Sequence, residues 1–391
     1  MVASSRVDAR PKPRRLRAAL RLLAVAVAAL AVATWISTDG LAAFGGDPSP
    51  ATLARMKATP RWAGDRFVNV EPTGVMKAGP WDTTRAWLFG PEMRTPTCPL
   101  PLVTDAAARL ATKPASGLRI TWLGHSTTLI EIDGQVVLTD PQWSERASPS
   151  RWVGPRRFHP PPLPLADLPH LDAVILSHDH YDHLDMATVR ALSARGVTFH
   201  AALGVGGHLA AFGVPPDQIV EHEWWQAATL PGGVTLVSTP ARHFSGRALR
   251  SGRTLWTSWS LVGPAHRVFF SGDTGLTDAF REIAAREGPF DVALLEIGQW
   301  HPSWGDIHLG PVGALDAAAL LGVERVLPIH WATFELGMHA WSEPAETLVV
   351  EAEKRGIHPI TPRLGEPVEP TLDPPTPPWW RALPPIAPAC P

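Results

Sequence analysis

The stretch from His178 to His183 (His-Asp-His-Tyr-Asp-His) restricts the fold of this chain more than any other feature. It follows residues 172–177, a short apolar run typical of a buried strand. His178 and His180 are two residues apart, so both side chains point to one face of an extended backbone. Asp182 and His183 fall at the turn into the next helical stretch, where they can reach a second point nearby. A preformed cation site at a strand end fits this stretch better than a solvated polar loop.

The cysteine content decides which residues could bind such a cation. The chain has 391 residues but only two cysteines, Cys98 and Cys390, which excludes a disulfide-rich scaffold and a cysteine-rich zinc module. Histidine and carboxylate must then supply the ligands, and 16 histidines are present. These ligands suit Zn²⁺ best among the common metals, and iron, manganese and cobalt also accept them.

Short apolar runs alternate with helical stretches from residue 118 onward. Hydrophobic residues make up 45% of the chain and charged residues 18%, so a sizeable core can form and global disorder is excluded. The predicted strands are 120–132 (interrupted at 124–126), 136–138, 172–177, 234–238, 254–262, 268–271, 292–297 and 323–329. The predicted helices include 184–195, 311–321 and 344–355. This alternation predicts an α/β domain.

Further ligand-type residues follow three of these predicted strands: His243, Asp273 and His330. Each is weak alone, because a single histidine is more often structural and Gly-Asp-Thr-Gly is often only a turn. One stretch of six residues cannot fill two coordination spheres, however. The position of all three residues at strand ends therefore predicts that they complete one metal centre with the stretch from His178 to His183.

In this order, the ligand-type residues resemble those of the metallo-β-lactamase superfamily. The resemblance implies a four-layer αββα sandwich with the metals at one edge of two facing sheets. It implies a first zinc held by His178, His180 and His243, and a second held by Asp182, His183 and His330. It also implies that Asp273 bridges the two Zn²⁺ ions, with iron or manganese as alternatives.

The likeness extends to one subgroup, the N-acylphosphatidylethanolamine-hydrolysing phospholipase D family. It covers roughly residues 118–365. The motifs that carry it are Thr121-Trp122-Leu123-Gly124-His125-Ser126-Thr127, Thr139-Asp140-Pro141, Arg146-Ala147-Ser148-Pro149-Ser150, Gly154-Pro155-Arg156-Arg157-Phe158, Glu223-Trp224-Trp225, Trp256-Thr257-Ser258-Trp259-Ser260 and Ile329-His330-Trp331-Ala332-Thr333-Phe334.

This resemblance implies hydrolysis of a phosphodiester in a glycerophospholipid such as N-acylphosphatidylethanolamine, by a hydroxide shared between two metals. Asp273 would position the metals and hydrogen-bond the attacking water. His308 matches a family histidine near the substrate phosphate, with a surface loop histidine as the plain alternative. We also expect His125 beside the site, supporting a ligand or the substrate, and Trp300 near the substrate.

The sequence departs from the animal phospholipases next to His308. It has Ile307 where the family has glutamine, and Val312-Gly313 where acidic residues are usual. This departure bears on the substrate more than on the metals. Hydrolysis of a phosphosugar or acyl lactone on the same centre is the alternative activity. A nuclease is disfavoured by the lack of a basic stripe outside the first 21 residues, and a non-catalytic metal-binding envelope protein is the alternative from another class.

Tryptophan is the other unusual feature, with 17 residues. Four tryptophans lie in loops that we expect around the mouth of the site: Trp143, Trp152, Trp300 and Trp304. They could form an apolar lip for acyl chains or a lipid interface, where tryptophan is favoured. Ordinary packing under long loops is the alternative.

The two ends of the chain differ from its middle. Residues 1–37 combine a basic start with the apolar run 22–36, which resembles a signal peptide or membrane anchor; a buried helix is the alternative. Residues 38–116 are predicted to pack on the core, and 117–365 to form the hydrolase domain. The tail 366–391 contains ten prolines, and we expect it to lie extended outside any core.

These features together predict the setting of the protein. Export or membrane anchoring would place the catalytic domain on the non-cytoplasmic side of a bacterial envelope. The expected partners are a phospholipid or small-molecule substrate and a membrane. Nucleic acid is not expected, because 35 basic and 37 acidic residues give a formal net charge of -2.

Overall fold

The computed structural model describes residues 14–38, 41–247, 250–372 and 376–383. The chain divides into two compact units, residues 1–43 and 44–391. The first contains helix α1 (Arg14–Thr38), and the basic residues that precede this helix lie outside the described ranges. Within those ranges, no helix has both the length and the apolar character required to cross a membrane.

The second unit contains the remaining helices and all of the described strands. The helices are α2 (Pro50–Ala58), α3 (Pro80–Phe89), α4 (Ala106–Leu110), α5 (Met186–Ser193), α6 (Gly206–Ala211), α7 (Ala279–Glu287), α8 (Gly310–Leu321) and α9 (Glu343–Glu353). The strands are β1 (Trp62–Ala63), β2 (Arg66–Phe67), β3 (Leu118–Gly124), β4 (Thr127–Ile132), β5 (Gln135–Thr139), β6 (Ala173–Leu176), β7 (Phe199–Ala202), β8 (Ile219–His222), β9 (Ala227–Thr229), β10 (Thr235–Thr239), β11 (Gly246–Arg247), β12 (Arg250–Ser251), β13 (Ser258–Val262), β14 (Arg267–Phe270), β15 (Val292–Glu296), β16 (Arg325–Ile329), β17 (His358–Pro359) and β18 (Pro367–Val368).

Most of these strands form two mixed seven-stranded sheets. The first has the order β18-β3-β4-β5-β6-β7-β8, and the second has the order β17-β16-β15-β14-β13-β10-β9. Strands β5 to β8 run parallel to one another, as do β14 to β17. Buried side chains of both sheets, among them Trp122 and Phe269, share one hydrophobic core. The predicted sandwich is therefore confirmed.

Helices cover the outer faces of the two sheets and complete four layers. Val189 and Leu192 of α5 pack in a second apolar cluster with Val174 and Leu176 of β6. Helices α7, α8 and α9 add side chains to the main core, such as Phe280 of α7. Both faces of the parallel strands are thus buried, which explains why these strands are almost continuously apolar in sequence.

One predicted strand is shorter than expected, because its first half leaves the sheet. The sequence predicts a strand over 254–262, whereas β13 begins at Ser258. The Leu255 amide donates to the Leu203 carbonyl, and the Thr257 amide donates to the Ser177 carbonyl. These bonds tie the segment to loops beside the first sheet, so it cannot pair along β10.

The expectation that the C-terminal tail adds nothing to the core is wrong. Trp379 and Trp380 are buried and belong to the main core, where the Trp379 ring stacks on Trp331 with centroids 5.6 Å apart. Strand β18 also pairs with β3, beyond the predicted domain end at residue 365. Proline limits regular structure in this segment to short pieces such as β18, but it does not prevent large aromatic side chains from being buried.

Candidate metal centre

The candidate ligands meet where parallel strands end. Strands β5 and β6 are neighbours in the first sheet, and β14, β15 and β16 are neighbours in the second. The residues that follow or end them carry His, Asp or Glu: Asp140 after β5, the stretch from His178 to His183 after β6, Asp273 after β14, Glu296 at the end of β15 and His330 after β16. Because parallel strands share their carboxyl-terminal edge, these side chains converge at one place.

The first group consists of His178, His180, His243 and Asp273, which can each offer a ligand atom to one ion. His180 Nδ1 lies 2.8 Å from His178 Nε2 and 3.4 Å from His243 Nε2. Asp273 Oδ2 lies 3.9 Å from His178 Nε2 and 3.8 Å from His243 Nε2. Three imidazole nitrogens and one carboxylate oxygen thus face a common point.

The second group consists of His125, Asp182, His183 and His330. Asp182 Oδ2 lies 2.8 Å from His125 Nε2 and 3.4 Å from His183 Nε2. Asp273 stands between the two groups, because its Oδ2 is 3.2 Å from His183 Nε2 and its Oδ1 is 3.1 Å from His330 Nδ1. This position matches the bridging role that the resemblance implies for Asp273.

The hydrogen bonds behind the imidazoles show that the residues fit metal ions. His243 Nδ1 donates to the Ile307 carbonyl, 2.8 Å away, and His183 Nδ1 lies 2.7 Å from Asp140 Oδ2. Each ring therefore directs its Nε2 into the centre, where this atom can bind a metal when it carries no proton. His183 Nε2 and Asp273 Oδ1 are buried beside other ligand atoms, but neither makes a well-aligned hydrogen bond to a described residue. Buried polar atoms of this kind normally have a partner, and a cation would supply it.

Electrostatics agrees with this fit. Burial holds the pKa of His178 and of His243 well below the usual histidine range, so both rings are neutral and have a free lone pair. Although burial by itself raises the pKa of Asp273, the surrounding histidines, His183 foremost, hold it well below its usual value. Although burial lowers it, the carboxylates of Asp273 and Asp182 raise the pKa of His183 well above the usual histidine range, so this ring must lose a proton to bind a metal. The neutral rings of His178 and His243 with the ionised Asp273 are a suitable donor set for Zn²⁺, iron or manganese.

The structure brings together all of the predicted ligands and adds two histidines. His125 lies within the second group, with its backbone in a left-handed conformation at φ 51°. His308 forms a third group with Asp273 and His330. Its ring lies between those of His243 and His330, with centroids 5.1 and 5.4 Å away, so His308 is not a surface loop residue.

Three supporting residues escaped the sequence reasoning. Asp140 accepts hydrogen bonds from the Ser177 amide and hydroxyl beside its contact with His183. Glu296 Oε1 lies 3.1 Å from His308 Nδ1. Asn69, in the N-terminal extension, pairs with both backbone groups of His243. The position after a predicted strand marks Asp140, and a carboxylate in an otherwise apolar buried run marks Glu296. Nothing local marks Asn69.

The four loop tryptophans have different surroundings. The Trp304 ring lies 6.0 Å from the His308 ring, beside the centre. The Trp300 ring borders the backbone of Gly310, where an added Cβ would come within 3.1 Å of it. Trp143 donates from Nε1 to the Leu163 carbonyl and packs in the second apolar cluster, which is ordinary packing. Trp152 is 65% exposed.

Comparison with known proteins agrees with this geometry. A model of the Beta-lactamase superfamily domain matches residues 135–331. Uncharacterized protein Rv0906 of Mycobacterium tuberculosis is 44% identical over 377 residues, 93% of this chain and 99% of that protein. N-acyl-phosphatidylethanolamine-hydrolyzing phospholipase D 1 of Caenorhabditis elegans is 35% identical over 246 residues, 60% of this chain and 69% of that protein. The predicted resemblance to this phospholipase family is thus confirmed.

A solved structure shares the fold. Igni18, a metallo hydrolase from the archaeon Ignicoccus hospitalis, superposes with a TM-score of 0.51 at 24% identity, over 64% of this chain and 97% of that protein. At this identity the likeness concerns the fold alone. The family model and the two relatives identify the family, and the fold and the converging His and Asp side chains agree with them. The chain therefore belongs to the metallo-β-lactamase superfamily and is a metal-dependent hydrolase.

Proposed function

We propose that this hydrolase is a dinuclear zinc phosphodiesterase of phospholipase D type, acting on N-acylphosphatidylethanolamine or a similar glycerophospholipid. The observation that carries the proposal is the third group, in which His308 stands beside Asp273 and His330. A cationic or hydrogen-bonding side chain at this place suits a phosphate oxygen or a leaving group. The similarity to the phospholipase of Caenorhabditis elegans supports the same substrate class.

Three residues of the centre have separate roles in the proposed reaction. When bound, two metals would lower the pKa of a shared water and polarise a phosphoryl oxygen. Asp273 faces the ligands of both groups, so it can position the two metals relative to each other. It can also accept a hydrogen bond from the attacking water. His308 is 11% exposed at its side chain, enough to meet a substrate, and can donate a proton to the leaving oxygen. The Trp304 ring lies 6.0 Å from the His308 ring, where it can limit the access of water.

A membrane is the partner we propose, with the catalytic domain exported or anchored outside the cytoplasm. Support comes from helix α3, where Trp81, Leu88 and Phe89 are 77%, 64% and 77% exposed and no side chain from Trp81 to Phe89 is buried. A ten-residue helix is marginal in water, and burial of these exposed apolar side chains in a lipid surface would stabilise it.

The segment that leads into helix α3 is hydrogen-bonded to the loop that precedes His308. The Lys77 amide donates to the Ser303 carbonyl, 2.8 Å away, and the Gly305 amide donates to the Val75 carbonyl, 2.9 Å away. Met76 and Trp304 form an isolated bridge between the two segments. A lipid bound at α3 would therefore have its head group near the metal centre.

Lactone hydrolysis is the second candidate, and one observation favours it. Ile307 is buried, and its carbonyl is already engaged with His243 Nδ1. No polar side chain is therefore available at this position for a phosphate oxygen. Attack on the carbonyl carbon of a lactone at the same centre does not require a polar side chain at position 307.

An assay of the purified zinc-loaded chain on both substrate types tests the proposal. The expected result is phosphatidic acid from N-acylphosphatidylethanolamine vesicles, detected by mass spectrometry, with no product from a His180→Ala variant. Turnover of phosphosugar or acyl lactones without phosphatidic acid would replace the first candidate by the second. A chain that binds two Zn²⁺ ions and hydrolyses neither class would contradict both.

A further inference from the structure

We infer that Glu296 is a positioning residue that orients His308 toward the reaction site. Glu296 is the last residue of β15, and its side chain is wholly buried. Its Oε1 lies 3.1 Å from His308 Nδ1 and accepts hydrogen bonds from the amides of Leu309, at 2.9 Å, and Thr274, at 3.3 Å. One carboxylate oxygen thus connects the strand to the loops that carry His308 and Asp273. The inference rests on the proposed hydrolysis at this centre.

The contact with Glu296 decides which atom of His308 faces the substrate. Oε1 of Glu296 already accepts two backbone amides, so it acts as an acceptor and Nδ1 of His308 carries the proton in this bond. The other nitrogen, Nε2, makes no hydrogen bond to a described residue. The ring packs between those of His243 and His330, with centroids 5.1 and 5.4 Å away. Glu296 therefore presents Nε2 as the one functional atom, ready to accept or donate a proton in a fixed direction.

A purely structural role does not explain this carboxylate. Its second oxygen, Oε2, is buried without a hydrogen bond to any described residue, and such an atom costs stability. Glu221 offers the contrast within the same chain. Its Oε1 accepts from the amides of Gly204 and Gly206, and its Oε2 accepts from the Thr52 hydroxyl, with no histidine involved. Both oxygens of Glu221 are thus hydrogen-bonded, to two backbone amides and one hydroxyl, whereas Glu296 leaves one oxygen unused and contacts His308.

A double-mutant cycle tests the inference. Glu296→Gln keeps the shape and an accepting oxygen but removes the charge, and we expect kcat to fall by about 10-fold to 100-fold with bound zinc and KM nearly unchanged. In a His308→Ala background, the same substitution should cost no further activity. Glu221→Gln is the matched control, and its kcat should equal that of the unaltered chain. A loss from Glu296→Gln that is equal in both backgrounds, or no loss at all, would overturn the inference.

A second measurement does not depend on the substrate. In the zinc-loaded chain with labelled histidine, the carbon and nitrogen shifts of His308 should report a proton on Nδ1, and Glu296→Gln should produce a mixture of tautomers. The tautomer measurement remains valid if the phospholipid is not hydrolysed. In that case the double-mutant cycle is repeated with a lactone that the chain hydrolyses. A His308 ring whose tautomer is the same in both proteins would contradict the orienting role.

Discussion

The carboxylate of Asp140 lies 2.7 Å from Nδ1 of His183, and both side chains are buried. The two residues are 43 positions apart in the chain, and the parallel pairing of β5 with β6 brings them together. Asp140 also fixes the Ser177 amide and hydroxyl. It therefore sets the direction of one imidazole and the path of the loop that carries the stretch from His178 to His183.

Asp140→Asn should weaken metal binding without unfolding the chain. The loss of the charged acceptor behind His183 lowers the basicity and order of that ring, and such partners are worth about 10-fold to 100-fold in metal affinity. Zinc affinity measured by competition with a chelator checks this. Asp172→Asn is a control, because Asp172 accepts the Val136 amide away from the centre. Equal zinc affinities for both variants would contradict the assigned role.

Removal of a central ligand should abolish turnover. Asp273→Ala removes the carboxylate that stands between both groups, and His180→Ala removes one of three converging nitrogens. Each variant should retain well below two zinc ions per chain by elemental analysis and show no hydrolysis. His170→Ala is the control, because that side chain is 87% exposed. Full metal content and activity in either ligand variant would mean that the centre is misassigned.

The buried tail tryptophan should matter for stability. Trp379→Ala removes a ring that stacks on Trp331 and donates from Nε1 to the Pro362 carbonyl. We expect the free energy of unfolding to fall by about 3 to 5 kcal/mol, the usual cost of truncating a buried aromatic. Trp152→Ala, at a 65% exposed position, should change it by less than about 0.5 kcal/mol. Urea unfolding of the two variants measures these free energies. Similar unfolding midpoints for both variants would refute the role of the tail in the core.

Acid should destabilise the chain through a buried histidine pair. His200 Nδ1 lies 3.1 Å from His222 Nε2, and burial lowers the pKa of each to about 4, below the unfolded value of about 6.5. Between these values the unfolded chain binds more protons than the folded chain, so stability falls as pH drops from about 6.5 toward 4. At pH 5 the loss is about 2 kcal/mol for each histidine.

The comparison that isolates this pair uses His200→Asn combined with His222→Gln. Neither replacement titrates in this range, so the unfolding free energy of the double variant should decline less between pH 7 and pH 5. Other buried histidines, such as His159, contribute equally to both proteins and cancel in the difference. Parallel pH dependences of the two proteins would show that the pair does not carry the effect.

Helix α3 should govern binding to lipid. Trp81→Ala with Phe89→Ser removes two of its most exposed apolar side chains, which cannot destabilise a core because neither is buried. We expect several-fold weaker sedimentation with vesicles of phosphatidylethanolamine and phosphatidylglycerol. Trp152→Ala, which removes an exposed tryptophan elsewhere, should sediment like the unaltered chain. Unchanged vesicle binding of the α3 variant would exclude this helix as the lipid contact.

The candidate ligands were accessible to sequence reasoning because their positions follow a local rule. Each lies directly after a short apolar strand, and parallel strands deliver their ends to a common edge. His178, Asp273 and His330 satisfy this rule with no knowledge of the sheet order. The alternation of strands and helices similarly determined the layered architecture, since burial on both faces leaves a continuous apolar run.

Only the tertiary structure decided which residues stand behind those ligands. Asn69 reaches the backbone of His243 from 174 positions away, and Glu296 meets His308 because β15 lies between β14 and β16. Trp379 lies in the core although two prolines directly precede it. Such contacts depend on the order of strands and on long-range packing, which periodicity along the chain does not encode. The sequence thus determined the kind of centre, and the packing of distant segments determined how each side chain in it is held.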